Sequence, residues 1–260
     1  MTRFSLLDGE LISVEAKGHV TILTMSRPPY NYFNAALIEE LLAKLKQQDE
    51  NEQCRATVLA ASGKVFCAGG EFGHGELGSE SYIQMARGLY AHAMQLYRIR
   101  KPMVAAVQGP AIGAGLGLAL VADFRVTCER ARFSANFNRL GLHPGFGLTV
   151  TLPRLIGSNK AELLLYTGRR INGAEAVDIG LANLLVEAQA VRTAAIELAH
   201  EIAQSGPQAV QDTRATFRRN LAEKIIEANQ NELDIQIKHM RSDEFLEGVR
   251  ASAERRLPHF

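Results

Sequence analysis

Two segments of the 260-residue chain are built to leave backbone N–H groups uncovered. The first is Phe66-Cys67-Ala68-Gly69-Gly70-Glu71-Phe72, which follows a short apolar run. The second is Gln108-Gly109-Pro110-Ala111-Ile112-Gly113-Ala114-Gly115-Leu116-Gly117, which follows another apolar run and opens a helix. A helix N-terminus offers free donors and a dipole that favours negative charge. One N–H from each turn would hold an oxyanion, and small residues matter because a side chain would block a carbonyl from coming close. Taken singly, each segment is also what tight packing alone would leave. No Gly-Lys-Ser/Thr follows either turn, which excludes a phosphate loop. The glycine spacing fails the dinucleotide fingerprint, and no Asp or Glu falls in the place that fingerprint needs.

The elements that must position these turns are readable from periodicity. Ile12 to Val14 and Val20 to Met25 read as strands around Lys17-Gly18. Asn34 caps a helix whose apolar face is Leu37, Ile38, Leu41, Leu42 and Leu45. Ala56 to Ala61, Met103 to Val107 and Phe124 to Thr127 are short, continuously apolar strands. Helices are expected over 81–100 and from Ala114 to Ala122. This alternation predicts an α/β protein with a sheet covered on both faces. Beyond residue 190 the pattern is almost wholly helical: Val191 to Gln204, Pro207 to Met240 and Asp243 to Arg256. The expected division is a core over 1–189 and a helical region over 190–260.

Composition narrows the field. Hydrophobic residues make up 47% and charged residues 22%, the balance of a globular chain rather than a disordered one. The net charge of +1 provides no field for nucleic acid or an anionic membrane. The three cysteines, Cys54, Cys67 and Cys128, are scattered. They form no zinc cluster and no disulfide framework, which fits a cytoplasmic protein. The N-terminus carries no signal-peptide pattern. Met103 to Ala122 holds no charge over a membrane-spanning length, but Gln108-Gly109-Pro110 divides it. A buried strand, a glycine turn and a buried helix account for it better.

Four segments in order, FCAGGEF (66–72), KPMVAAVQGPAIGAGLGLALVADFRV (101–126), FSANFNRLGLHPGFGLTVTLPRLIG (133–157) and TGRRINGAEAVDIGLAN (167–183), resemble the crotonase (enoyl-CoA hydratase/isomerase) superfamily. FLEGVRASAERRLPHF (245–260) is similar to that family's final helix. The resemblance implies a ββα spiral core and a C-terminal helical region at subunit contacts, in a homotrimer or homohexamer. It implies acyl-CoA thioester substrates and no tightly bound cofactor, coenzyme A being part of the substrate. It places the oxyanion hole on the N–H groups of Ala68 and Ala114. Ala114 stands where relatives carry the central glycine of a G-G-G turn, which keeps the N–H.

The chain departs from the family where protons move. Hydratases of the family use two glutamates. One aligns with Gly117 and the other with Phe137, and neither residue can transfer a proton. Acid–base groups contribute about 10²–10⁴-fold each, so ordinary hydration of an enoyl-CoA is expected to be impaired. His143 is the candidate replacement, because a histidine titrates near neutrality. Phe137, Asn136, Asn138, Glu71, His74 and Gly70 are the expected substrate contacts. Glu71 has a loop-fixing role as its other reading, and His74 and Glu76 a solvated one. Arg27, Cys67, Arg255 and Arg256 are the expected coenzyme A contacts, although Cys67 also reads as a small buried filler. Tyr82 and Tyr90 read as helix-face packing.

The expected function is therefore an acyl-CoA enzyme that stabilises a thioester enolate without the two glutamates. Isomerisation, decarboxylation and carbon–carbon bond hydrolysis all fit. The alternative is a family member that binds acyl-CoA without turning it over. A residual hydratase would need water activated by His143 or by a loop carboxylate.

Overall fold

The computed structural model describes residues 10–71 and 77–260. His74 and Glu76 lie outside the described residues. Ten helices and nine strands follow in the described residues. The main sheet has the order β1 (Ile12–Lys17), β2 (Val20–Met25), β3 (Ala56–Ala61), β4 (Met103–Val107), β6 (Phe124–Thr127), β9 (Leu184–Leu185). Its first pair is antiparallel and the rest parallel. The second sheet is β5 (Ala111–Ile112), β7 (Arg132–Ser134) and β8 (Ile171–Asn172). Between β2 and β3 runs α1 (Ala35–Glu50), capped by the Asn34 side chain, which accepts from the Leu37 N–H. Its five predicted apolar residues are all buried.

The path then repeats. A strand of the main sheet leads to a short bridge or strand in a second layer and then to a helix. β3 leads to a bridge at Cys67 and on to α2 (Glu80–Gln95). β4 leads to β5 and α3 (Ala114–Val121). β6 leads to β7, α4 (Leu148–Ile156) and α5 (Ser158–Thr167). This is the ββα spiral that the resemblance implies. It divides the uncharged stretch 103–122 among β4, β5 and the eight-residue α3. Among the described residues, no helix is long and apolar enough to cross a membrane.

Four expectations need correction. The helix expected over 81–100 is capped by Ser79 and ends at Gln95, with a 3₁₀ turn over Leu96–Arg98. The single helix expected from Pro207 to Met240 is two, α8 (Pro207–Phe217) and α9 (Leu221–His239). Asn220 adopts φ 59° between them, and asparagine tolerates this left-handed region. The last helix, α10, stops at Ala253. The boundary at 190 also fails, because α7 (Val191–Ala203) packs on β2, β3, β4 and β6. Its buried Val191, Ala195 and Ala199 form the stripe that covers the sheet, so the helical appendage begins with α8. One more helix, α6 (Gly173–Asp178), completes the set.

Candidate active site

The two glycine turns are stitched together by backbone. Cys67 bridges Ala111, the Ile112 N–H donates to the Cys67 carbonyl at 3.0 Å, and the Phe66 and Cys67 N–H groups both reach the Pro110 carbonyl. A Cβ on Gly115 would stand 2.2 Å from the Cys67 carbonyl oxygen, and one on Gly109 would stand 1.9 Å from that of Lys64. Contact this close is open only to glycine. It sets the N-terminus of α3 against the Cys67–Gly70 turn. The Gly113 N–H, bonded to the Ser134 carbonyl at 2.8 Å, ties the same turn to β7.

Ala114 is the first residue of α3, so its N–H has no partner within the helix. The first turn of α3 holds no acidic residue to compete for the donors. Ala68 is a correction: its N–H donates to the Tyr30 carbonyl at 3.0 Å and belongs to the scaffold. The free donor lies two residues on. The Phe33 N–H bonds the Gly69 carbonyl at 2.8 Å, and Phe33 forms a parallel bridge with Gly70. In a parallel bridge the spanned residue turns its own N–H away from its partner strand. Gly70 therefore presents its N–H on the side opposite Phe33, and it meets no acceptor among the described residues. Among the described residues, the N–H groups of Gly70 and Ala114 are left without an acceptor.

The residues expected to act as acid or base sit elsewhere or are apolar. Phe137 is buried, and its ring lies 3.9 Å from the position a Cβ would take on Gly113. The Asn136 Oδ1 lies 3.3 Å from that same position. Asn136 thus borders the Ala114 turn, and its amide has no hydrogen-bond partner among the described residues. Asn138 opens the 3₁₀ turn Asn138–Leu140; its carbonyl accepts from the Gly141 N–H at 3.1 Å, and its side-chain amide has no hydrogen-bond partner among the described residues. His143 is turned toward α9: its N–H donates to His239 Nδ1 at 2.9 Å, and its carbonyl accepts from Gln236 Nε2 at 2.7 Å. The His143 Nδ1 contacts the Pro144 carbonyl at 2.8 Å. A carbonyl only accepts, so Nδ1 carries a proton in this contact. Burial and the neighbouring His143 hold the His239 pKa below its ordinary value.

The predicted coenzyme contacts are mostly spent within the chain. Arg27 Nη2 pairs with Glu71 Oε2 at 2.6 Å, and Nη1 donates to the Tyr32 carbonyl. The pair fixes the donor turn to the residues after β2, the loop-fixing reading of Glu71. Burial, with Tyr30 and Glu71 adding negative charge, raises the Tyr32 pKa. Cys67 is fully buried, the small-filler reading, and burial pushes its thiol up to about 12. Arg256 is held by Glu247 at 2.5 Å and Glu254 at 2.6 Å, and the Arg256 bond pulls the Glu247 carboxyl down to about 2. Arg255 is exposed just past α10, with φ 57°.

Sequence reasoning missed Phe146. It is fully buried, and its ring packs edge-on against Phe33, Tyr97 and Tyr90 at 5.2, 6.2 and 6.5 Å. The flanking Gly145 and Gly147 were a signal of tight backbone there, but no spacing rule links them to Gly117. Glu232 on α9 was also missed. It is buried and accepts from the Gly147 and Thr149 N–H groups and the Thr149 hydroxyl, so it caps α4. Burial raises its pKa.

Residues 15–260 match the family model described as enoyl-CoA hydratase/isomerase. The chain is 34% identical over 260 residues to the enoyl-CoA hydratase EchA19 of Mycobacterium tuberculosis, covering 95% of each. It is 30% identical over 254 residues to a carnitinyl-CoA dehydratase of Proteus mirabilis, covering 96% of this chain and 97% of that one. The crystal structure of an enoyl-CoA hydratase/isomerase from Pseudoalteromonas atlantica superposes with a TM-score of 0.83 at 30% identity. That match covers 96% of this chain and 100% of the other.

Proposed function

Because the chain belongs to the enoyl-CoA hydratase/isomerase family, we propose that it binds an acyl-CoA thioester with the carbonyl oxygen between the N–H groups of Gly70 and Ala114. The reaction runs through the enolate that these donors stabilise. It uses neither family carboxylate, since Gly117 and Phe137 stand in their places. One observation carries this reading: the Gly70 and Ala114 N–H groups meet no acceptor among the described residues, and Gly117 and the buried Phe137 occupy the positions where the family carboxylates align.

Isomerisation, decarboxylation and carbon–carbon bond hydrolysis share that enolate. Decarboxylation asks least of these residues. Loss of carbon dioxide leaves the electron pair on carbon without a base, and an apolar surround disfavours the substrate carboxylate more than the spread charge that replaces it. The carbon then takes a proton from water or from His143, whose acid/base role is part of the proposal. Asn136, beside the Ala114 turn, is the polar side chain placed to meet a substrate oxygen. The same reading takes the protein as a cytoplasmic homotrimer or homohexamer. Exposed Phe217, Leu257 and Phe260 supply apolar surface for such contacts.

The test is a panel of thioesters with purified protein: crotonyl-CoA, a β-carboxyl acyl-CoA and a β-keto acyl-CoA. Turnover of the carboxyl or keto compound with no hydration of crotonyl-CoA is expected. Fast hydration of crotonyl-CoA would overturn the reading. Tight binding across the panel without product would favour a pure acyl-CoA binder.

A further inference from the structure

Phe146 stands in the left-handed region, with φ 65°, where a bulky side chain is strained. Such strain persists only where the surroundings fix it, and it concentrates at functional positions. Here the surroundings are explicit. The Phe146 N–H donates to Asn229 Oδ1 at 3.2 Å, and its carbonyl accepts from the Tyr97 hydroxyl at 3.4 Å. Tyr90, Tyr97 and Phe33 surround the ring. Gly117 lies against another side of the ring. A Cβ built there would lie 2.5 Å from Phe146 Cγ and 2.6 Å from Cδ1. The ring fills the space that any side chain at 117 would need.

That space lies on the helix that begins with Ala114. Gly117 lies one helical turn beyond Gly113 and Ala114, about 5 Å along α3, and its N–H bonds the Gly113 carbonyl. Phe33, which touches the ring, is bridged to Gly70. Phe146 is therefore wedged between α3, which carries the Ala114 N–H, and Phe33, which is bridged to the Gly70 turn.

We propose that Phe146 is a specificity-determining plug. With Gly117 it closes the wall beside the reacting carbons to water and to acyl groups branched next to the thioester, so the site takes unbranched acyl chains. The proposal deepens the acyl-CoA reading above and rests on it. The strained backbone is what aims the ring at Gly117.

The test uses Phe146→Ala, Phe146→Leu, Gly117→Ala and the double variant Gly117→Ala/Phe146→Ala. Calorimetry gives dissociation constants for butyryl-CoA and 2-methylbutyryl-CoA. The parent protein should prefer the straight chain by about tenfold or more, the scale on which a pocket rejects one extra methyl group. Both Phe146 variants should shrink that preference, and the smaller leucine covers the case in which the alanine variant fails to fold. Thermal denaturation gives a second, independent reading. Gly117→Ala should lower the melting temperature by about 5 °C in the parent, and by far less when Phe146 is already alanine. An unchanged straight-to-branched ratio in folded Phe146 variants overturns the plug. Failure of the parent to bind either thioester overturns the acyl-CoA reading, and the plug with it.

Discussion

The two donor turns and the Phe133–Gly147 segment face each other in one site, yet they are built on opposite terms. The turns work through backbone. Their N–H groups survive any side chain but proline, and glycines at 109 and 115 hold them at contact distance. The facing segment works through side chains, and two of those packed on α3 and its cap are apolar rings: Phe137 against Gly113, and Phe146 over Gly117. On the proposed reading, anion stabilisation is locked into the fold, while proton transfer is a separate function that side-chain substitution can remove. A chain can keep the first and lose the second without changing its architecture.

That contrast can be broken most sharply at Ala114. Ala114→Pro deletes one donor at the first position of α3, where a helix tolerates proline. Turnover of the best thioester should fall about 10²–10³-fold in steady-state assays while the fold survives. Turnover within a few-fold of the parent would mean that Ala114 is not a donor. Proline at Ala68 should instead unfold the turn, since that N–H holds the Tyr30 carbonyl.

Gly115→Ala attacks the seam between the turns. Its Cβ has no room against the Cys67 carbonyl, and the loss should be about 3 kcal/mol in urea titration. A neutral result would show that the two turns are free to separate.

Phe137→Glu puts a carboxylate back into a buried apolar seat. Burial raises its folded pKa above the unfolded value, so the folded state binds the proton more tightly. Stability should be nearer the parent's at pH 5 and fall as pH rises past the unfolded value of about 4.3 and through the raised one. Denaturation midpoints at pH 5 and pH 8 check this, and equal offsets from the parent would show the seat to be wet.

The smallest effect concerns the His143–His239 contact. The depressed folded pKa of His239 means that the unfolded chain binds the extra proton first. Its contribution is present above the unfolded value of about 6.5 and lost as pH falls below it. The melting temperature should drop between pH 7.5 and 5.5, and less so in His239→Gln. Parallel pH profiles for the two proteins would remove the contact from the account.

What the sequence revealed follows the range of the interactions. The α1 face was readable from Leu37 to Leu45 because a helix repeats its contacts every few residues. The positions of both glycine turns were readable because strands and small residues flank them. The choice of donor was not: whether Ala68 or Gly70 is free depends on a carbonyl at Tyr30 and a bridge at Phe33. The Phe146–Gly117 contact joins a loop to the middle of α3, which no periodicity connects. His239 reaches His143 across 96 residues. The break at Asn220 was hidden because no glycine or proline announces it.

The close approaches at Gly109 and Gly115 also bear on how this chain can mutate. Every amino-acid change at a glycine codon adds at least a Cβ, and here the first atom met is a main-chain oxygen that cannot swing aside. In a saturation screen these two sites should reject all nineteen alternatives, while Phe137 and Asn136 beside them accept several. The evolvable part of the pocket is then the wall that chooses the reaction, and the inflexible part is the pair of loops that makes a reaction possible.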